Sequence, residues 1–176
     1  MNKFLDAKKA LEAILYVSKS TNNLFNIVKT LYYADKFHLQ EYGRVITGDC
    51  YIAMEDGPVP SGAYHLIKFA RGDAYLYDKN IFEAHPEKAI KVARDGKNTW
   101  IYPQREPDFN HLSESDLECL DEAIKKYANM DPGELWKLVH KEKSYNETKR
   151  DEPIPLREII ALDIPNGKDV LAYLDS

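Results

Sequence analysis

The chain has 176 residues, 44% of them hydrophobic and 30% charged, with a net charge of −5. That length suits one ordinary globular domain, and that balance belongs to a folded chain rather than a disordered one. An acidic net charge argues against a general phosphate-binding surface, and no run approaches the ~20 apolar residues that a membrane-crossing helix needs, so neither nucleic acid nor membrane is an expected partner.

Phe4, Ala7, Leu11, Ile14 and Leu15 recur at helical spacing and predict a helix over about residues 4 to 19. Leu24, Ile27, Val28, Leu31, Tyr32 and Leu39 form a second stripe, which Phe25, Tyr33 and Phe37 widen over most of the circumference. Such a helix is central and packed on several sides. After Gly43 the pattern breaks; residues 50 to 54 read as a short strand, followed by a turn at Asp56-Gly57-Pro58-Val59-Pro60 that can continue neither element. Ala63, Leu66, Ile67 and Ala70 give a third helix that stops near Gly72. Residues 74 to 87 read as irregular.

Ile90 and Val92 alternate with Lys91 and Ala93, Asp95-Gly96 supplies a tight turn, and residues 99 to 102 continue extended, which is a hairpin signal. The expected sheet joins this hairpin to the strand at 50 to 54. Ser113 or Ser115 caps the next helix, with Asp116 or Glu118 completing a capping box, and Asp131-Pro132 opens another with proline at its favoured first position. Beyond Asp151, three prolines predict a segment that wraps the domain and holds one short helix near residues 156 to 162. The fold class is α+β: a mainly helical single domain, residues 1–150, with a central aromatic-rich helix, a small antiparallel sheet and an extension, 151–176, packed on it.

The run from Lys29 to Lys68 resembles the Panacea domain of the SocA-like antitoxin family. The resemblance rests on Lys29, Leu31, Tyr32, Tyr33, Ala34, Gly43, Ala53, Gly57, Pro58, Val59 and Tyr64, and resumes over residues 112 to 143 with a Leu-Ser helix start and a late histidine. Met54 and Asp56 stand where the family often has Trp and Tyr. The resemblance implies a non-enzymatic, cytoplasmic antitoxin, of a family associated with phage and other mobile elements, that neutralises a cognate protein toxin by occluding it or by handing it to a host protease. Met1-Asn2-Lys3 leads directly into an amphipathic pattern without a signal-peptide cleavage site, in keeping with that location.

Asp35 and His38, three apart on the apolar stripe, are the first candidates for chemistry, since a carboxylate there must find a partner or shift its pKa. A dimetal helical site would need a second such pair, and the chain has none. Cys50 and Cys119 lack finger spacing and any nucleophile signature, and are expected to be reduced, half-buried thiols. A small metal-dependent or cysteine hydrolase using Asp35, His38, Cys50 or His140 is the alternative reading; no cofactor or metal is expected. A DNA-binding regulator is disfavoured by the acidic balance and the lack of a basic recognition helix. Tyr32, Tyr33, Tyr42, Tyr51, Tyr64, Tyr75 and Tyr77 make the first half rich in a residue that serves both cores and interfaces. Partner recognition is expected near the rigid 56–64 turn, with Asp56 and Tyr64, beside the exposed side of the central helix around Asp35, and next at the helix bearing Trp136 and His140.

Overall fold

A computed structural model describes residues 4–73 and 79–176. Asp6 accepts the Lys9 amide at 2.9 Å and starts helix α1, Ala7–Ser18. Asn23 does the same for Phe25 at the head of α2, Leu24–Tyr42, which ends where Gly43 turns left-handed at φ 68°. Strands β1, Tyr51–Met54, and β2, Gly57–Pro60, form an antiparallel hairpin closed by Glu55 and Asp56. Helix α3, Ser61–Arg71, follows without a break. Its first amides are capped from a distance by the Asp49 carboxylate, which accepts from Gly62 at 2.7 Å and Ala63 at 2.8 Å.

Two short helices, α4 (Lys79–Ala84) and α5 (Pro86–Ala89), lead into the hairpin of β3, Ile90–Asp95, and β4, Asn98–Pro103. A 3₁₀ turn at Phe109–His111 precedes α6, Glu114–Ala123, whose last turn widens into a π-helical stretch over Ile124–Ala128. Then come α7 (Pro132–Val139), α8 (Lys143–Glu147), β5 (Pro153–Ile154), α9 (Leu156–Asp163) and α10 (Gly167–Leu174).

The fold is mainly helical α+β, with α2 at its centre against α1, α6, α7, α9 and the hairpin β1–β2. Ile14, Leu15, Ile27, Tyr32, Leu66, Ile67, Ile101 and Leu120 share the core beneath it. The Ser113–Asp116 capping box forms as the sequence predicts, and Asp131 caps the proline-led α7.

Four expectations about the fold require correction. The strand at 51–54 does not join the hairpin of β3 and β4; it pairs with β2 on one edge and β5 on the other, so the described residues form two separate sheets. Residues 57–60, read only as a turn, are a strand. Prolines fit there because β2 is an edge: the Ser61 amide, in step with Gly57 and Val59, bonds the Cys50 carbonyl at 2.8 Å, and this register aims the nitrogens of Pro58 and Pro60 away from β1. The C-terminal segment holds two helices rather than one and also supplies β5. The stretch read as irregular holds a helix over residues 79–84 and the start of a second, 86–89, while 74–78, with Tyr75 and Tyr77, lie outside the described residues.

Candidate partner interface

The tip of hairpin β1–β2 is built on close approach. Gly57 sits at φ 98°, and a Cβ there would fall 2.8 Å from Val139 Cγ2 and 3.2 Å from Lys29 Nζ, so α2 and α7 can reach this turn only past a glycine. From α2, the Lys29 ammonium donates to the Pro58 carbonyl at 2.8 Å and lies 5.2 Å from the centre of the Phe25 ring. Lys29 is fully buried, and that burial lowers its amine to about 7, with the nearby Asp56 charge pulling the other way.

Helix α7 closes the tip from the other side. Trp136 and His140, one turn apart, stack with ring centres 3.7 Å apart and planes 25° from parallel. The Trp136 indole donates to Asp56 Oδ1 at 3.2 Å, and His140 Nε2 lies 3.2 Å from the Glu55 carbonyl. Tyr145, on α8, donates its hydroxyl to the Met54 carbonyl at 2.9 Å and packs edge-on against His140. Trp136 remains 43% exposed, although aromatic side chains of its size are usually well buried. The result is a rigid turn flanked by a half-open aromatic stack, with the carboxylates of Glu55 and Asp56 at its rim.

Behind this face, Glu142 accepts from Tyr32 at 3.0 Å, Tyr33 at 3.3 Å and Lys36 at 2.6 Å. Burial first, and the Glu142 charge second, push the phenols of Tyr32 and Tyr33 upward, so both stay protonated donors. The neighbouring pair Tyr32-Tyr33 is thus a clamp that fixes the α7–α8 corner to α2.

Of the four residues expected to meet a partner, Asp56 and His140 come together here. Tyr64 is partly exposed on α3 with Lys68 Nζ 4.9 Å from its ring; among the described residues no hydrogen bond, ion pair or ring contact joins it to Asp56 or His140. Asp35 is buried rather than on an exposed side of α2: it accepts the Ile46 amide at 2.6 Å and bonds the Tyr51 hydroxyl. Burial raises its carboxyl to about 7 although both hydrogen bonds act to lower it.

Asp35 and His38 do not meet. His38 Nδ1 faces the Arg44 carbonyl at 3.0 Å, and its Nε2 faces Ser115 Oγ at 3.1 Å and Asp116 at 3.3 Å. Cys50 is half-buried, and burial raises its thiol; Cys119 is buried outright, not half-buried, and burial pushes it to about 12. Among the described residues no hydrogen bond or ion pair joins any two of the residues of the hydrolase reading, and no group of three or more His, Cys, Asp and Glu could hold a metal ion.

Sequence reasoning missed Lys29 as a support, Glu142, Tyr145 and the capping role of Asp49. Lys29 carried a signal, a lysine on an almost wholly apolar stretch; the others act across 13 to 110 positions and leave no local trace. The family model for the SocA-like antitoxin, Panacea domain, matches residues 27–145, more than half of the chain. The chain belongs to this family. No curated protein and no solved structure shows a significant match. The Panacea match begins inside α2 and ends in α8, so it takes in the Lys29 support, the tip, the Trp136–His140 stack and the Tyr32–Tyr33 clamp. It leaves out α1, which lies in the same core, and β5, which pairs with β1 inside the matched region. An antitoxin role follows for the family in general, and with it a toxin partner.

Proposed function

We propose that this chain binds and neutralises a cognate protein toxin through a protein interface, without turnover, and that the tip of hairpin β1–β2 with the Trp136–His140 face of α7 is where the toxin docks. Membership of the antitoxin family over residues 27–145 is the observation that carries the reading. The choice of face is supported by preorganisation: a turn held on both sides gives up little freedom on binding, and a half-exposed Trp beside it is the kind of anchor in which interface energy concentrates. Asp56 and His140 act in this face directly. Asp35 acts from inside, by fixing Tyr51 and so the seat of β1, and Tyr64 extends the contact along α3.

Neutralisation proceeds by covering the toxin's active surface or by presenting the toxin to a host protease. Co-expression with the neighbouring open reading frame tests the reading: that neighbour should arrest growth alone, and this chain should restore growth and co-purify with the neighbour's product. A neighbour harmless on its own would remove the main support. Toxin half-life separates the two modes, since an adaptor shortens it and a cover does not.

A further inference from the structure

Helix α8 and the residue before it carry two of the side chains that hold the docking tip, yet the first turn of α8 is not capped by its own residues. Tyr145 donates its hydroxyl to the Met54 carbonyl at 2.9 Å, with the Glu55 carbonyl 3.3 Å away, and Glu142 holds Tyr32, Tyr33 and Lys36. A helix of five residues, Lys143–Glu147, is too short to hold itself in water, and its leading amides need acceptors from outside the turn. Glu142 stands at the cap position, but its carboxylate is committed to the clamp and makes no capping bond.

The acceptors come from 20 positions further along the chain. Asp163, the last residue of α9, takes the Lys143 amide on Oδ1 at 2.7 Å and the Ser144 amide on Oδ2 at 2.9 Å, so each carboxylate oxygen serves one amide. Bonds of this charge-assisted kind are roughly twice as strong as neutral ones. Helix α9 is firmly placed to supply them: Ile159 lies in the main core, and Ile160 and Ile164 share a second cluster with Leu39 of α2 and Val170 of α10. Asn146 and Thr148 add bonds at 2.9 and 2.8 Å to the His140 and Ser144 carbonyls, but these close within the α7–α8 corner, whereas Asp163 ties that corner to α9. The family match ends at residue 145, so a carboxylate beyond the matched region completes the start of a helix inside it.

From this geometry we propose that Asp163 is a positioning residue of the docking face: by capping α8 it sets where Tyr145 meets the Met54 carbonyl, and so makes the C-terminal extension a working part of the toxin-binding surface. The role in binding rests on the antitoxin reading. The coupling that runs from Asp163 through Tyr145 to the tip does not.

The free chain tests the coupling without any toxin. Amide exchange, measured at a single pH, should speed up about tenfold at Lys143 and Ser144 in Asp163→Ala, the factor that loss of one charge-assisted hydrogen bond corresponds to. The acceleration should carry over to Met54 and Gly57, which pair as the last rung of hairpin β1–β2. Asp163→Asn keeps a single acceptor oxygen, so one of the two α8 amides should stay slow and the tip should fall between the native chain and the alanine variant. The same variant decides the matter if Asp163→Ala fails to fold. Tyr145→Phe removes the hydroxyl that reaches Met54; it should speed Met54 and Gly57 by itself, and adding Asp163→Ala to it should change them little more, because both act on one contact. Asn166→Ala breaks a different tie of the extension, the 3.2 Å bond to the Gln40 carbonyl, and should leave the tip at its native rate.

Additive effects of Asp163→Ala and Tyr145→Phe would overturn the coupling, as would a tip loosened equally by Asn166→Ala or a native tip rate in both Asp163 variants. A last arm uses the neighbour's product: its affinity should fall about tenfold for Asp163→Ala, recover in part with Asp163→Asn and stay native with Asn166→Ala. Unchanged affinity in a variant whose tip has loosened would remove Asp163 from the docking face. If the neighbour's product does not bind the native chain at all, the antitoxin reading fails, while the coupling stands or falls on the free-chain rates.

Discussion

Asp35 and Asp116 are both buried carboxylates, the first on the central helix and the second on α6 packed against it, and they are held in opposite ways. Asp116 lies in the seam between α1 and α6, with Lys9 at 2.6 Å, Arg44 at 3.0 Å and the Ser113 amide at 2.9 Å. Burial alone would raise it, yet the Lys9 ammonium and the Ser113 donors hold it below the ordinary carboxylate range. Asp35, beneath hairpin β1–β2, has two hydrogen-bond donors and no ion-pair partner among the described residues, and burial carries it to about 7. Lys29, under the other end of the same hairpin, is the complementary case, a buried amine brought down to about 7. The seam is therefore a fully compensated scaffold. The hairpin that presents the proposed docking tip rests on ionisable groups whose charges are only partly offset.

The strongest test of that contrast is to open the seam. Asp116→Ala leaves Lys9 and Arg44 facing an empty site and removes the capping box, and breaking a buried pair from one side typically costs about 3–5 kcal/mol. Asp116→Asn, which keeps an acceptor for the Ser113 amide, should recover part of that. Denaturant unfolding reads both; a loss below about 1 kcal/mol for the alanine variant would mean the seam is solvated and the contrast is false.

The hairpin supports answer to pH, with opposite signs. Asp35 has a folded value near 7 against an ordinary 3.8, so its stabilising neutral form is fully present below about 3.8 and is lost as pH rises through about 7. Lys29 has a folded value near 7 against 10.5, so its contribution is fully present above about 10.5 and is lost as pH falls through about 7. Together they dig a stability minimum near neutrality. Asp35→Asn, which can still accept from Ile46 and donate to Tyr51, should gain up to about 4 kcal/mol over the native chain above pH 7. Lys29→Met should gain a comparable amount below it. Unfolding curves across pH 4–10 check this, and a flat native profile would sink it.

Which parts of this were legible in sequence follows from the range of the interactions. Ser113 with Asp116, Asp131 with Pro132, and Gly43 and Gly72 at helix ends act within four residues, so spacing finds them. Alternation from Ile90 to Tyr102 is a local pattern too, and its hairpin forms as read. Strand β2 hides because two prolines and a glycine carry no strand propensity; it exists because β1 and α2 accept an edge there. Helix α10 carried a local signal, Val170, Leu171 and Leu174 after Asn166-Gly167, which the prolines before it obscured. The Trp136–Asp56 and His140–Glu55 contacts join residues 80 and 85 positions apart, and only the folded chain places them together.

The smallest expected effects belong to the tip itself, and they complete the contrast because they should separate binding from stability. Asp56→Arg replaces the acceptor of the Trp136 indole and reverses a rim charge, so it should weaken toxin binding by about 1–2 kcal/mol, more than the near-neutral effect of most residues that flank an anchor. Its melting temperature should shift by no more than a few degrees, since Asp56 is exposed and its 3.2 Å bond is solvent-facing. Tyr64→Ala removes a partly exposed ring one helix away from the stack and should lower affinity by less, about 0.5–1 kcal/mol. Titration calorimetry beside thermal unfolding measures both quantities on the same samples. A Tyr64→Ala loss larger than that of Asp56→Arg would move the centre of the contact onto α3. Loss of binding only in variants that also unfold would make the tip part of the scaffold, like the seam.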